Sequence, residues 1–311
     1  MKVTLIAAAV ALYAASLAAQ VPPQTGGDPH AGHGMDQQAG ATAAARNPNL
    51  PPDSDAALAQ LNASPRHGEW VDIKMASGAP IKAFVVYPER QGKAPVVLVI
   101  HEIFGLSDWI RGVADQLAKE GFIAVAPDFL SGRAPNGGCS AELGSQGSTQ
   151  AIRNVTPDDR NKTLDAAMQY GASLPSSNGK TAVLGFCWGG SQSFGYAVAQ
   201  PALSASVVFY GTPPMKTVDG KSVPDPDELT KVKAPVLGLY GGSDARVTAT
   251  VEPTTAEMKR LGRTYEPHVF EGAAHGFLRQ QSGPQDNPGA NLKATQQAWP
   301  LVLQFLRTHT K

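Results

Sequence analysis

Residues 185–190 read GFCWGG, and this stretch joins the apolar run KTAVL at 180–184 to the run SQSFGYAVAQ at 191–200. The first run is typical of a short buried strand, and the second has helix-like spacing. Cys187, one of only two cysteines among 311 residues, therefore stands at a strand-to-helix turn between Gly185 and Gly189. Glycines are expected at such a turn because one backbone segment passes close to another.

The order Gly-x-Cys-x-Gly matches a nucleophile elbow, a sharp turn that places one reactive side chain at its apex. At the start of a helix, the thiol of Cys187 would also feel the positive end of the helix dipole, which favours the thiolate. The stretch therefore predicts an α/β protein with a nucleophilic cysteine.

Composition and charge narrow the choice of function. Twenty-six basic residues balance twenty-six acidic ones, so the chain has no overall field to attract nucleic acid. A hydrophobic fraction of 42% is enough for a sizeable core. We therefore expect a globular protein with no nucleic-acid partner.

The N-terminal region is predicted to precede the folded domain. Residues 1–19, MKVTLIAAAVALYAASLAA, have the lysine, apolar run and small residues of a secretory signal peptide, with cleavage after Ala18 or Ala19. No cysteine follows that would suggest a lipid anchor. Residues 20–66 are rich in Ala, Gly and Pro and predict a flexible leader. We expect an exported monomer, periplasmic or secreted and free of the membrane, with its folded domain at 67–311.

Strand-like and helix-like runs alternate from residue 67 onward. A Gly/Pro turn at 76–80 separates two strand-like runs at the start, which predicts an antiparallel hairpin. Buried strands are expected at 95–102, 122–128, 181–186, 205–211, 235–242 and 265–270, and helices at 109–121, 158–174, 189–200, 251–262 and 291–309. Pro300 is expected to kink or split the last helix. This order predicts a mostly parallel sheet with helices on both faces and no separate cap domain.

Reactive side chains in open α/β sheets collect at the carboxyl ends of the strands. Glu102 ends a predicted strand, and Cys187, Asp244 and His275 each follow one. The order nucleophile, acid, histidine along the chain is that of α/β-hydrolase triads. Together these positions predict a Cys187–His275–Asp244 triad.

The chain resembles the dienelactone hydrolases, also called carboxymethylenebutenolidases, over essentially all of residues 67–311. The motifs that carry the resemblance are HEIFGL at 101–106, APDFLSGRAP at 126–135, GFCWGG at 185–190, VFYG at 208–211, YGGSDARV at 240–247 and GAAHGFLR at 272–279. A cysteine elbow combined with HEIFG is more specific than the elbow alone.

The resemblance implies an α/β-hydrolase fold and the hydrolysis of lactones or carboxylic esters through a thioester, without metal or organic cofactor. Cys187 would be the nucleophile, His275 its base and Asp244 the group that orients the imidazole. Glu102 would help to generate the thiolate, and Arg279 would bind a substrate carboxylate. The backbone N–H groups of Ile103 and Trp188 would form the oxyanion hole.

Several positions stay open at this point. The family's second carboxylate-binding arginine falls within 129–158, where Arg133 and Arg153 are both candidates. Phe104, Trp188 and Tyr210 could border the substrate or belong to the core. Preference for a dienelactone is therefore uncertain, and a broad-range carboxylesterase is an alternative.

The second cysteine supplies a rival interpretation from another class. Cys139 lies in a loop that leaves a strand end, and an even cysteine count in an exported protein suggests a disulfide. A Cys139–Cys187 bridge would remove the nucleophile and leave a non-catalytic binding protein.

Overall fold

The computed structural model describes residues 47–76, 78–283 and 287–311. The predicted signal peptide and residues 20–46 of the predicted leader lie outside the described residues. The strands are β1 (Gly68–Ile73), β2 (Ile81–Val86), β3 (Ala94–Ile100), β4 (Ile123–Pro127), β5 (Ser177–Phe186), β6 (Ala205–Phe209), β7 (Met215–Val218), β8 (Lys221–Pro224), β9 (Val236–Gly241) and β10 (Tyr265–Phe270). The helices are α1 (Ala57–Asn62), α2 (Asp108–Lys119), α3 (Ser140–Ala151), α4 (Pro157–Ser173), α5 (Trp188–Ala199), α6 (Pro226–Leu229), α7 (Ala245–Thr248), α8 (Val251–Arg260) and α9 (Ala290–His309).

Eight strands form one sheet in the order β1-β2-β4-β3-β5-β6-β9-β10. β2 runs antiparallel to both of its neighbours, and the pairs from β4 to β10 are parallel. The predicted mostly parallel sheet is confirmed. Because the carboxyl ends of parallel strands meet at one edge, the loops after β3, β5, β6, β9 and β10 lie at the same edge of the sheet.

Helices cover both faces of the sheet, as predicted. Alternate residues of β3 point to opposite sides, so that Val97 and Val99 pack with α2 and α9 while Val96 and Leu98 pack with α4, α5 and α8. Each side has its own cluster of buried apolar residues. A strand buried on both faces explains the continuous apolar run in the sequence.

The folded unit begins earlier than expected. It starts at Asn47 rather than near His67, so residues 47–66 are not a flexible leader. Leu50 and Ala57 are buried against the α2 and α9 face of the sheet. Arg66 forms a two-pronged ion pair with Asp115 on α2, with Nε to Oδ1 at 2.9 Å and Nη2 to Oδ2 at 2.5 Å. A few apolar side chains and one buried ion pair anchor a segment whose average composition is typical of a linker.

The last helix is not split at Pro300. α9 runs without interruption from Ala290 to His309. Trp299, Val302 and Leu306 on one side of it are buried in the core. This packing keeps the helix continuous although proline cannot donate a backbone hydrogen bond.

None of the helices within 47–76, 78–283 and 287–311 combines the length and the apolar character needed to cross a membrane.

Candidate active site

Cys187 stands alone at a strained turn between β5 and α5. Its backbone has φ 56° and ψ −114°, a conformation that is uncommon for a residue with a side chain. Such strain costs roughly 1–3 kcal/mol and is characteristic of functional sites. The N–H of Cys187 donates to the carbonyl of Phe209 at 3.1 Å, which ties the turn to the end of β6.

The glycines around Cys187 are required by close backbone packing. A Cβ on Gly185 would lie 2.0 Å from the carbonyl oxygen of Gly189, and a Cβ on Gly189 would lie 2.4 Å from that of Ile100. A Cβ on Gly190 would lie 2.3 Å from the oxygen of Phe209. The turn can therefore sit tightly between β3 and β6 only with glycine at these positions.

Asp244 and His275 are joined by a short hydrogen bond. The imidazole Nδ1 lies 2.5 Å from Oδ2 of the carboxylate, and Asp244 is nearly buried while His275 is about one-third exposed. Asp244 also accepts from the N–H of Val247 at the start of α7. The contact fixes the tautomer with the proton on Nδ1, which leaves Nε2 free to accept a proton.

The loop that carries His275 is braced by its neighbours. The N–H of Ser243 donates to the carbonyl of Ala273 at 2.9 Å. Asn291 at the start of α9 accepts from the N–H of Ala274 and donates to the carbonyl of Gln280, at 2.9 and 2.6 Å. The imidazole is thus carried on a loop with backbone contacts on both sides.

Glu102 and Arg279 form an ion pair beside Phe104. Nε of Arg279 lies 2.9 Å from Oε2 of Glu102, and the guanidinium carbon lies 5.0 Å from the centroid of the Phe104 ring. The Glu102 carboxyl is only 3% exposed. Burial raises its pKa to about 7, and the positive charge of Arg279 acts against that rise. Glu102 can therefore gain or lose a proton near neutral pH.

The charge of Glu102 also acts on the Cys187 thiol. Burial is the main cause that raises the pKa of the thiol, and the negative charge of Glu102 is the second. The backbone N–H of Trp188 and the positive charge of Arg246 lower the pKa, while Asp244 raises it. The N–H of Trp188 at the start of α5 thus favours the thiolate, as expected of a helix N-terminus, but burial and Glu102 outweigh it and the net pKa of the thiol is raised.

Tyr210 is a common neighbour of these groups. It follows β6 with φ 40°, and its ring centroid lies 5.0 Å from that of His275. Its hydroxyl is buried and has no hydrogen-bond partner among the described residues. Burial raises the pKa of the phenol well above its usual value, and the negative charge of Glu102 adds to the rise.

The two backbone N–H groups predicted for the oxyanion hole are both free to donate. No backbone or side-chain acceptor within the described part of the chain takes the N–H of Ile103 or of Trp188. The Trp188 N–H faces the Cys187 sulfur. Ile103 lies in the loop after β3 and Trp188 is the first residue of α5 after β5, so both donors are at the carboxyl ends of strands, where a developing oxyanion could be held.

His101 holds the backbone of Glu102. Its buried ring accepts from the N–H of Phe129 through Nε2 at 3.2 Å, so Nδ1 carries the proton and donates to the carbonyl of Glu102 at 2.7 Å. The ring stacks on Trp188 with 5.9 Å between centroids. Burial lowers the pKa of His101, which keeps the imidazole neutral.

Comparison with known proteins shows which family this chain belongs to. The family model of the dienelactone hydrolases matches residues 81–310. The chain belongs to the dienelactone hydrolase family. Its membership assigns the protein to the hydrolases, and within them to the carboxymethylenebutenolidase-like enzymes that cleave carboxylic esters.

Alignments with individual relatives extend over most of this chain. A protein of Salmonella typhimurium named "Putative carboxymethylenebutenolidase" is 31% identical over 242 residues, which are 74% of this chain and 83% of that protein. A Bradyrhizobium protein named "Probable 2-oxo-3-(5-oxofuran-2-ylidene)propanoate lactonase" is 31% identical over 78% of this chain and 94% of its own length. The crystal structure of a dienelactone hydrolase homologue from Klebsiella pneumoniae has a TM-score of 0.65 at 26% identity and covers 78% of this chain and 98% of its own.

Arg133 and Arg153 are not brought into this cluster. The guanidinium of Arg133 pairs with Asp159 at 2.9 Å and donates to the carbonyl of Asn154. Arg153 is exposed. The prediction of Arg133 as a substrate-binding residue finds no support in these contacts, because the residue is engaged at the start of α4.

The structure does not contain the disulfide that the rival interpretation requires. Cys139 and Cys187 are both free thiols. Cys139 is buried at the start of α3, where desolvation raises the pKa of its thiol to about 11. Cys139 is therefore an inert structural thiol.

Two parts of the site were missed in the sequence. Arg246 follows Asp244 by two residues and contributes positive charge at the thiol. The motif YGGSDARV predicts the aspartate, but nothing in it indicates a role for the arginine. The contacts of residues 51–54 with the loop of Arg279 were also missed, because these residues were assigned to the leader.

Proposed function

We propose that this dienelactone hydrolase family member cleaves lactones or carboxylic esters through a thioester on Cys187. Family membership supports the hydrolase class. The observation that carries the finer proposal is the cluster of a thiol at a strained turn, an Asp-bound imidazole and a carboxyl with a pKa near 7. These are a nucleophile, a base and a second proton acceptor.

The first step generates the thiolate only when substrate is present. In the resting site Arg279 stabilises the Glu102 carboxylate, and the charge of that carboxylate helps to keep the Cys187 thiol neutral. A substrate carboxylate that binds Arg279 weakens the ion pair, so the pKa of Glu102 rises and its carboxylate becomes a stronger base. The proton of Cys187 then moves to Glu102.

The second step forms the thioester. The thiolate adds to the carbonyl carbon, and the N–H groups of Ile103 and Trp188 hold the oxyanion. When the C–O bond breaks, the enolate or alkoxide leaves and takes up the proton that Glu102 accepted from Cys187, which returns Glu102 to its carboxylate form. In a lactone this step opens the ring, and the leaving group stays attached to the acyl chain.

The third step releases the acid. Nε2 of His275 takes a proton from water as the water attacks the thioester, and Asp244 stabilises the resulting imidazolium. The tetrahedral intermediate expels the sulfur, and the proton returns to Cys187. Every proton moved in the cycle has a donor and an acceptor among the residues of the cluster.

The proposed substrate class follows from Arg279. Its side chain is partly exposed and is placed between Glu102 and Phe104, where a cation can receive an anionic group over an apolar ring. The name of the Bradyrhizobium relative gives a lactone that carries a carboxylate. We propose acidic lactones or esters as preferred substrates. The engagement of Arg133 elsewhere favours, as a second candidate, a broad carboxylesterase that also accepts neutral esters.

A matched pair of cysteine variants tests the proposal. Cys187→Ala should lower the hydrolysis of nitrophenyl esters by at least about a thousandfold, since removal of a nucleophile leaves only binding and oxyanion effects. Cys139→Ala should retain the activity of the wild type because its thiol lies outside the cluster. Comparable activity in Cys187→Ala would exclude the thioester mechanism.

The proposals on cellular location and assembly rest on sequence alone. We propose that residues 1–19 direct export, and that the mature protein acts as a monomer. N-terminal sequencing of protein from the periplasm or medium should begin at Ala19 or Gln20, and sedimentation should give the mass of one chain. An intact N-terminus in the cytoplasmic fraction would contradict export.

A further inference from the structure

Residues 51–54, PPDS, form a short segment that precedes the family-matched region and packs against α2. The indole Nε1 of Trp109 donates to the carbonyl of Pro52 at 3.0 Å. A Cβ on Gly112 would lie 2.6 Å from Cγ of Pro52, so the proline ring fills the space that this glycine leaves. This segment, called the N-terminal strap below, is thus anchored to the body of the domain.

The strap is hydrogen-bonded to the loop that carries Arg279. The N–H of Ser54 donates to the carbonyl of Arg279 at 2.9 Å. The N–H of Gln281 donates to Oδ2 of Asp53 at 2.8 Å, and its side-chain amide donates to the carbonyl of Pro51 at 2.9 Å. The strap therefore holds two alternate residues of the loop by their backbone.

The second carboxylate oxygen of Asp53 is also engaged. Oδ1 accepts from the N–H of Asp55 at 3.1 Å, in the cap of a 3-10 turn. With one oxygen fixed by its own turn, the other points at Gln281 in a defined direction. The contact is built from local backbone geometry, which makes it more rigid than a contact between two long side chains.

The strap also connects two parts of the active site. Trp109, which anchors Pro52, packs edge-on against Phe186 with 4.8 Å between centroids, and Phe186 precedes Cys187. On the other side, the strap fixes the backbone of Arg279, whose side chain lies 2.9 Å from Glu102. Residues 51–54 thus connect the turn that carries Cys187 with the loop that carries Arg279.

We propose that the N-terminal strap is a positioning element that sets the affinity of Arg279 for the anionic group of the substrate. The inference rests on the proposed function for its substrate, but the strap contacts are independent of it. Displacement of a binding group by about 1 Å can change rates by about a hundredfold. Loss of the hydrogen bonds that hold the backbone at Arg279 should therefore have a measurable effect.

The test removes one strap hydrogen bond without changing the loop itself. Ser54→Pro deletes the N–H that binds the carbonyl of Arg279, and it suits the extended backbone of Asp53 (φ −66°, ψ 154°). Ser54→Ala keeps that N–H and serves as the matched control. Asp53→Ala removes the contact to Gln281 by a second route in case proline impairs folding.

The readout compares KM for a carboxylate-bearing nitrophenyl ester with KM for its neutral methyl ester. We expect Ser54→Pro and Asp53→Ala to raise KM for the acidic ester about tenfold and to change that for the neutral ester less than about twofold. Ser54→Ala should match the wild type. In an Arg279→Ala background neither strap variant should have a further effect, as expected for residues that act through one group.

Equal changes for both esters, or an undiminished effect without Arg279, would overturn the positioning role. A second measurement does not require ester hydrolysis, so it can distinguish failure of the positioning role from failure of the proposed function. Alkylation of Cys187 by iodoacetamide should show an inflection near pH 7 from Glu102, and Ser54→Pro should move it to higher pH as Arg279 loosens. An unmoved inflection would contradict the strap even if no ester is cleaved.

Discussion

Arg279 lies 2.9 Å from Glu102, and the same carboxylate is the strongest charged influence on the thiol of Cys187. In the proposed mechanism, Glu102 couples Arg279 as the anion-binding group to the acidity of Cys187 as the nucleophile. A substrate that engages Arg279 changes the charge that Cys187 experiences. The arrangement keeps the cysteine neutral at rest, which protects it from oxidation and alkylation.

Replacement of Glu102 should separate thiol reactivity from catalysis. In Glu102→Gln the negative charge beside Cys187 is lost, so the pKa of the thiol falls and alkylation by iodoacetamide at pH 7.5 should become several-fold faster. Hydrolysis of esters should fall at least about a hundredfold because the proton acceptor is missing. Glu89→Gln, an exposed control, should change neither rate. A parallel decrease of both rates would show that Glu102 is only structural.

The rate should depend on the ionisation of Glu102. Below its pKa of about 7 the carboxyl is protonated and cannot accept the proton of Cys187, so kcat/KM should rise as pH increases through about 7. For substrates that bind Arg279, kcat should inflect at higher pH, because loss of the ion pair raises the pKa of Glu102 further. Stopped-flow rates from pH 5 to 9 measure both. If the inflection of the pH–rate profile persists in Glu102→Gln, it belongs to another group and not to Glu102.

Replacement of Tyr210 by phenylalanine should lower activity without lowering stability. Its buried hydroxyl has no partner, so Tyr210→Phe should leave the free energy of unfolding unchanged or raise it by about 1 kcal/mol. If the hydroxyl binds substrate, activity should fall about tenfold. Tyr240→Phe is the control, because its hydroxyl bonds Tyr265 at 2.7 Å and its removal should cost about 1 kcal/mol. A loss of stability in Tyr210→Phe equal to the control would show an unrecognised partner.

The packing of the nucleophile turn should not tolerate a methyl group at position 189. A Cβ there would lie 2.4 Å from the backbone oxygen of Ile100, and backbone cannot move aside as a side chain can. Gly189→Ala should therefore destabilise the protein by about 3 kcal/mol or more. Gly195→Ala in the same helix would meet only the end of the Arg160 side chain, which can shift as backbone cannot, so it should cost less than Gly189→Ala. Denaturant unfolding measures the free energy of unfolding of both variants. Equal values for Gly189→Ala and Gly195→Ala would contradict the close packing at position 189.

Much of the fold was predictable because its signals are local. The apolar runs and the GFCWGG turn are each contained in a few residues, and the strand ends follow from them. The hairpin of β7 and β8 was missed although Asp219 and Gly220, both with positive φ, carry the usual two-residue turn signal. Its short, largely polar strands lack the alternation that reveals longer strands.

The parts of the site that escaped prediction depend on contacts between distant segments. Asp53 binds Gln281 across 228 positions, and nothing in the sequence around Asp53 indicates that contact. The charge of Arg246 at the thiol and the engagement of Arg133 with Asp159 likewise follow from tertiary placement. The direction of the Cys187 pKa shift also depends on burial, which a local motif does not determine.

The central claim is best tested by mass spectrometry of the enzyme during turnover. His275→Ala should still accept an acyl group from an activated ester but should release it slowly. The protein quenched after mixing should carry one acyl group, on the peptide that contains Cys187, and hydroxylamine should remove it. An acyl group on another residue, or undiminished turnover with no adduct on Cys187, would contradict the proposed thioester mechanism.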